Sequence, residues 1–338
     1  PIATGVLAAV SMSDAEIEGK VKADVASLGP MSVGLASAGA LVNAVEMPRG
    51  ERWSAVDPGH AWGTRETIDY LTHAIDAVHE RWPGSPKMFI GHISARNGGH
   101  LSPHLSHQAG RDVDVSYYLD GKAPWYARAT DRNLDRPRTW TFVRTLITDT
   151  DAELILIDSS VQRLLKDYAA SIGEPHEWLD EVFQVGGKGA RPLIRHAQGH
   201  ATHIHVRFYN PVAQELGRRA MPFLVQRGLL KRPSAAPAPV APASAGYVEH
   251  RARSGDTLGS LARRYGVSVQ DIQRANNLRG TAIRAKNVYR IPKKGAPAPA
   301  PRRRTAQNTL RASGPVVIPP RRIPPGDSTV RSQTVPAP

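Results

Sequence analysis

The 338-residue chain contains no cysteine. That excludes disulfide staples, cysteine-ligated zinc or iron–sulfur centres, and any thiol nucleophile. Long apolar runs are missing as well. The longest, Ile2 to Val10, is interrupted by Thr4 and Gly5 and falls far short of the roughly 18 residues a membrane span needs. No membrane span is therefore expected. There is no Gly-x-Ser-x-Gly elbow and no His-Glu-x-x-His pair, so neither an α/β-hydrolase serine nor a helical zinc-protease site is indicated. No internal repeat stands out. Residue 1 is proline rather than an initiator methionine, and a removed secretory signal is one explanation.

What is present is unevenly distributed. The formal charge is +14, yet residues 1–230 hold 24 Lys and Arg against 26 Asp and Glu, whereas 231–338 hold 20 against 4. The basic excess lies wholly in the C-terminal third. On charge alone it suits an acidic partner, whether nucleic acid, anionic lipid or another anionic polymer, or simply a tail kept soluble by its arginines. Nucleic acid is not an expected partner, because no aromatics interleave the arginines. Residues 233–246 hold four prolines and six alanines in fourteen positions, the composition of a semi-extended spacer. Residues 295–338 contain ten prolines and the run Arg302-Arg303-Arg304, the composition of a disordered segment. The chain accordingly divides into a flexible N-terminal segment (1–37), a large domain (38–230), a Pro/Ala linker (231–246), a small module (247–292) and a disordered basic tail (293–338).

In the large domain, Ile68, Leu71, Ile75, Val78 and Trp82 recur at helical spacing, which predicts a helix over 65–82 with Thr64 as its N-cap. Segments 87–94, 112–119, 153–158 and 202–209 read as strands, and a helix carrying Val161, Leu164, Leu165, Tyr168 and Ile172 follows the third. Helices mixed with strands over long connections imply an α+β domain around an antiparallel sheet.

Eight of the thirteen histidines fall in two windows: His92, His100, His104 and His107, then His196, His200, His203 and His205. In strand 112–119, Asp112, Asp114 and Ser116 share one face; in strand 202–209, His203, His205 and Arg207 share one face. Two imidazoles two residues apart on a strand are about 6.5 Å apart at the backbone and project in parallel. One could bind a metal while its neighbour reaches a water beside it. A lone His-x-His equally describes a polar strand face, but His107 and Asp114 add the donors a catalytic zinc site needs, with one position left open. Arg207 and Arg111 read either as holders of a substrate carboxylate or as structural ion-pair partners.

The stretch Gly98-Gly-His-Leu-Ser-Pro-His104-Leu-Ser-His107-Gln-Ala-Gly110-Arg-Asp-Val-Asp114, with Arg195-His-Ala-Gln-Gly-His200-Ala-Thr-His203-Ile-His205-Val-Arg207, resembles the penicillin-insensitive murein endopeptidases. These belong to a wider zinc peptidase group that includes lysostaphin-like and D-Ala-D-Ala-cleaving enzymes. The resemblance covers roughly residues 38–212. It implies one Zn2+ held by His107, Asp114 and His205, with His203 as general base and His104 and His200 lining the site. It also implies hydrolysis of the D-alanine–diaminopimelate cross-link of peptidoglycan by zinc-activated water, and a base of near-neutral pKa. Two departures stand out: His92 occupies a usually acidic position, and Ala201-Thr202 replaces an acidic pair. A zinc D-Ala-D-Ala carboxypeptidase and an inactive wall-binding protein are the alternatives.

The small module reads Ser254-Gly255-Asp256-Thr257-Leu258, then a helix with Leu258, Leu261, Ala262 and Tyr265, a Ser268/Asp271 capping pattern, Asn276-Asn277-Leu278 and a short strand ending Ile291-Pro292. This β-α-α-β pattern resembles a LysM domain. The resemblance implies binding to N-acetylglucosamine-containing glycan, with Gly255, Asp256, Thr257, Asn276 and Asn277 as contacts. The basic tail would add attraction to anionic wall polymers, and the protein would work in the periplasm or cell envelope.

Overall fold

Polar caps set where the helices begin, and strand alternation sets which side chains reach the site. The computed structural model describes residues 11–121, 123–189, 191–231, 247–253, 256–276, 278, 283, 287–292, 322 and 324. Helix α1 (Asp14–Ala23) opens with a capping box between Ser13 and Glu16. A hairpin follows, β1 (Met31–Leu35) antiparallel to β2 (Ala38–Val42). Next come β3 (Val45–Glu46), β4 (Trp53–Ala55), β5 (Trp62–Gly63) and α2 (Arg65–Arg81), the last capped by the Thr64 hydroxyl. Then follow β6 (Met88–Ile90), β7 (Asp112–Val115), α3 (Arg136–Asp149) and β8 (Ala152–Leu156). The remainder of this unit comprises α4 (Ser159–Ser171), α5 (His176–Val182), β9 (Ile194–Arg195), β10 (Ile204–Phe208) and α6 (Pro211–Gln226).

Six of the strands form one sheet in the order β4-β6-β7-β10-β8-β9. Its inner pairings are antiparallel and its two outer ones, β4/β6 and β8/β9, are parallel. Alternation decides the rest. Val113, Val115, Ile204, Val206 and Phe208 are fully buried in one core with Leu71 and Ile75 of α2 and Trp140 and Phe142 of α3. The residues between them, Asp112, Asp114, His205 and Arg207, lie on the opposite face. Register places His205 opposite Asp114 and Arg207 opposite Asp112.

The N-terminal segment differs from expectation. From residue 11 it is folded: Ile17, Val21, Leu28, Met31 and Val33 are buried against Leu216, Ala220 and Leu224 of α6. Its apolar stripe is narrow, and its partner helix lies almost 200 residues downstream, so local periodicity could not reveal the packing. Strands are also shorter than predicted: 87–94 narrows to β6 and 112–119 to β7.

The second compact unit holds β11 (Tyr247–Arg251), α7 (Leu258–Tyr265), α8 (Val269–Asn276) and β12 (Val288–Pro292), with β11 antiparallel to β12. Leu258, Leu261, Ile272 and Ile291 are its fully buried centre. Thr257 and Ser260 cap α7, and Gly266 ends it in a left-handed conformation. The linker lies outside the described residues apart from Lys231, and the tail apart from Arg322 and Pro324. The Arg322 carbonyl accepts from Trp178 Nε1 at 2.8 Å, and its guanidinium donates to the Arg191 carbonyl at 2.8 Å.

Candidate metal centre

The turn feeding β7 is pinned from beneath by a buried polar network. The Gly110 carbonyl accepts from the Thr64 N–H (3.1 Å) and the Thr67 hydroxyl (2.9 Å). Asn210, just before α6, donates its side-chain amide to both threonine hydroxyls, at 2.5 and 2.6 Å. Two helix starts and the β7 turn are thus tied together by neutral hydrogen bonds shielded from water. The preceding loop is held against the β1–β2 hairpin. Gly98 has φ +67°, and a Cβ there would lie 2.3 Å from the Gln108 carbonyl oxygen. Only glycine fits that approach.

His107 emerges from this loop with φ 65°, a left-handed conformation uncommon outside glycine and a mark of local strain. Its backbone N–H donates to Asp112 Oδ2 (3.1 Å), and its Nδ1 faces the Ile93 carbonyl (2.9 Å). That leaves Nε2 facing the cleft, 3.2 Å from His205 Nδ1 and 3.3 Å from Asp114 Oδ1. His205 Nδ1 is 2.9 Å from the same Asp114 oxygen. Bonds of about 2.0–2.1 Å in a tetrahedron separate neighbouring donors by about 3.3 Å. The triangle of 2.9, 3.2 and 3.3 Å is therefore close to one face of such a tetrahedron. All three residues are buried. Behind them, His205 Nε2 donates to Asp112 Oδ1 (3.1 Å), which also accepts from Arg207 Nε (2.6 Å). An imidazole whose far nitrogen is held by a carboxylate is the usual support for a metal-ligating histidine.

The other expected residues converge on the same cleft. His104 Nδ1 lies 3.5 Å from Asp114 Oδ2, and His104, His107 and Asp114 form a second three-donor set that shares two members with the first. The set with His205 is the better one, because its contacts are shorter and Asp112 backs it. His203 Nε2 lies 3.9 Å from Asp114 Oδ1, its Nδ1 is 3.1 Å from Thr202 Oγ1, and its ring stacks on Tyr126 at 4.9 Å. The His200 ring lies 4.6 Å from that of His203. Arg207 and Arg111 are both taken up internally, Arg111 by the Phe208 carbonyl (3.1 Å) and Gln214 (3.1 Å). Sequence alone gives Asp112 and Tyr126 no role in the site. Asp112 was legible as sharing a face with Asp114, whereas Tyr126 sits in a loop with no periodic signal.

Burial and pairing divide the charges. Burial alone would raise Asp114, but His107 and His205 outweigh it and hold the carboxyl well below the usual range. Asp112 is likewise held down against burial, by Arg207 and His205. Burial opposes the charged form of His205 too, yet its bonds to Asp112 and Asp114 raise it to about 9. Burial lowers His104 and His203 to about 4 and lowers His200 as well. His203 thus departs from the near-neutral value expected of it. At neutral pH Asp112 and Asp114 are carboxylates, His205 is an imidazolium, and His104, His200 and His203 are neutral imidazoles. The converging His107, Asp114 and His205 donors are compatible with a divalent cation.

In the second unit, the Asp256 carboxylate accepts from the Arg253 N–H (2.8 Å) and contacts His250 Nε2 (3.0 Å). Thr257 Oγ1 accepts from the Ser260 N–H (3.1 Å), and Asn276 Nδ2 donates to the Ile272 carbonyl (2.8 Å). Gly255 and Asn277 lie outside the described residues.

Comparison with known sequences bears on both units. The family described as penicillin-insensitive murein endopeptidase matches residues 32–228, and the LysM domain matches 250–292. A "Penicillin-insensitive murein endopeptidase" of Pectobacterium atrosepticum is 25% identical over 203 residues, covering 54% of this chain and 66% of the relative. A "Probable autolysin SsaALP" of Staphylococcus aureus is 39% identical over 59 residues, 18% of this chain and 22% of the relative. "LysM and putative peptidoglycan-binding domain-containing protein 2" of Bos taurus is 49% identical over 47 residues, 14% of this chain and 22% of the relative. The chain therefore spans just under two thirds of the first of these and less than a quarter of the others. The match across more than half of the sequence, running through both histidine windows, makes the chain a member of the penicillin-insensitive murein endopeptidase family with a C-terminal LysM domain.

Proposed function

We propose that this protein is a zinc-dependent endopeptidase that hydrolyses D-alanine–diaminopimelate cross-links in peptidoglycan, retained on the glycan by its LysM domain. The observation that carries the reading is the triangle of His107 Nε2, Asp114 Oδ1 and His205 Nδ1, spaced for one tetrahedral ion. When bound, Zn2+ would polarise the scissile carbonyl and bring the pKa of water to about 7. The protein supplies the rest. His203 is neutral because it is buried, so its Nε2 can take a proton from the attacking water. The Thr202 hydroxyl and the Tyr126 ring fix that imidazole in orientation. A value of about 4 makes it a weak base at rest, and negative charge developing in the cleft would raise it during the reaction. The same nitrogen can return the proton to the leaving amine. His104 and His200, also neutral, can donate N–H groups to the developing oxyanion.

The division of labour follows the domains: catalysis in 38–230, spacing in 231–246 and glycan attachment in 247–292. Tethering raises the effective concentration of cross-links around the cleft, and the basic tail would add attraction to anionic wall polymers. Peptidoglycan lies outside the cytoplasmic membrane, so the reading implies an envelope location. Among the described residues no helix is long and apolar enough to cross a membrane.

The test is digestion of purified peptidoglycan, with product analysis and metal content, for the native chain, His205→Ala and His203→Ala. The native chain should convert cross-linked dimers to monomers. His205→Ala should lose metal and activity, and His203→Ala should keep metal while losing roughly 100-fold or more in rate. Free D-alanine with unchanged dimers would convert the reading to a carboxypeptidase. Hydrolysis retained by both variants would end the zinc mechanism.

A further inference from the structure

A second group of metal-type donors lies beside the first, outside the residues used above. Asp57 and His60 sit on the turn after β4, and His92 lies two residues beyond β6. Because β4 and β6 pair in parallel, these three positions emerge at the same end of the sheet. Backbone bonds fix them there: the His60 carbonyl accepts from the N–H groups of Ile93 (2.8 Å) and Ser94 (3.0 Å). Asp57 Oδ1 accepts from the Gly59 N–H (3.1 Å) and caps the turn. Its other oxygen, Oδ2, faces two imidazoles, 2.7 Å from His60 Nδ1 and 3.4 Å from His92 Nε2. The two rings stand edge to face, 5.6 Å apart. One donor atom from each residue lies within 4.8 Å of the other two.

We propose that Asp57, His60 and His92 form a second divalent-cation site with the nitrogen–nitrogen–oxygen donors that zinc and its first-row neighbours prefer. Each side chain is between 31% and 42% exposed, so an ion can enter from solvent and complete its shell with water. Asp57 is ionised across the ordinary pH range, because the hydrogen bond from His60 holds its carboxyl down. The site is independent of the cation assigned to His107, Asp114 and His205, yet it touches that cleft. His92 Nδ1 is 2.8 Å from His104 Nε2. A cation on His92 Nε2 confines the remaining ring proton to Nδ1, where it is donated to His104. His104 must then carry its own proton on Nδ1, which faces Asp114. The outer ion thereby sets the tautomer of an imidazole that lines the catalytic cleft.

The test uses the full chain stripped with chelator and titrated with Zn2+, with bound metal counted by mass spectrometry and binding followed by calorimetry. The expected result is two equivalents for the native chain, the second weaker because water competes for half-exposed donors. Asp57→Asn combined with His60→Gln keeps the turn cap and the backbone contacts, and should bind one equivalent with an unchanged melting temperature. His205→Ala should also bind one, and the combined variant none. If His205→Ala changes nothing while the Asp57/His60 variant loses one ion, the catalytic reading fails and this one stands. A native chain that saturates at one equivalent, or a second equivalent that survives Asp57→Asn with His60→Gln, overturns the proposal.

Discussion

Asp112→Asn removes one negative charge and almost no volume from behind the proposed zinc ligands, and its consequences can be worked out bond by bond. The native carboxylate is fully buried and accepts from three donors: His205 Nε2 and Arg207 Nε on one oxygen, and the His107 N–H on the other. An asparagine has one acceptor oxygen. If that oxygen stays with His205 and Arg207, the amide nitrogen confronts the His107 N–H; if it turns round, it confronts the other two. At least one buried donor loses its partner, at about 1–3 kcal/mol, and Arg207 loses its closest counter-charge. Metal affinity falls for a related reason, since removing such an orienting carboxylate typically costs 10–100-fold, or about 1.4–2.7 kcal/mol. An opposing effect depends on pH. With no metal bound, the bonds to Asp112 and Asp114 raise native His205 to about 9, so near pH 7 it is mostly protonated and a proton competes with the cation for its Nδ1. Apparent affinity of the native chain should therefore rise about tenfold per pH unit between 7 and 9. Without Asp112 the His205 pKa falls and this proton competition weakens. The affinity deficit of Asp112→Asn should thus be small at pH 7 and grow towards the full 10–100-fold at pH 9. Competition against a buffered zinc chelator across that range measures it. A deficit that is flat or shrinks with rising pH would refute the reasoning.

Trp140 is buried, lies 5.8 Å from the Phe183 ring and 6.0 Å from Trp178, and donates Nε1 to Glu174 (3.2 Å). Trp140→Ala should cost about 3–5 kcal/mol in urea unfolding while leaving zinc affinity intact, and a loss below 1 kcal/mol would contradict the packing. Gly98→Ala places a Cβ against the Gln108 carbonyl, whereas Gly84→Ala has the same sign of φ (+79°) with nothing within 4 Å. The second substitution should cost about 1–2 kcal/mol and the first clearly more, with weaker zinc binding only for Gly98→Ala. Equal melting temperatures for the two would remove the steric argument. A chain with residues 247–292 deleted, which keeps the Arg322 contacts to Trp178 and Arg191, should lose retention on insoluble peptidoglycan in a co-sedimentation assay but hydrolyse soluble cross-linked fragments at the full-length rate.

How much of this was legible depends on where each signal resides. Helix α2 was readable because Ile68, Leu71, Ile75 and Val78 all face one core and nothing dilutes their spacing. Helix α3 was not, because Thr139, Thr145 and Thr148 are buried among its apolar residues and blur the pattern. Helix α6 carries Pro222 within it, a residue that argues against a helix when read locally. The faces of β7 and β10 were legible from strict alternation, but not that the two strands pair and set His205 opposite Asp114, because alternation fixes which side a residue faces and not which strand lies beside it. Tyr126, Asp57 and His60 were not, since they sit in loops, and only the folded chain brings Tyr126 against His203 and Asp57 and His60 against His92.

The pairing of β7 with β10 has a corollary for how this fold can vary. Within a few residues the same two strands supply Val113, Val115, Val206 and Phe208 to the interior and Asp114 and His205 to the cleft. Inserting a single amino acid into either strand would exchange those roles, sending an imidazole or a carboxylate among hydrocarbons and a valine towards solvent. A change of chain length is therefore tolerable in the loops but not in these two strands, where slippage would destroy the scaffold that hosts the chemistry.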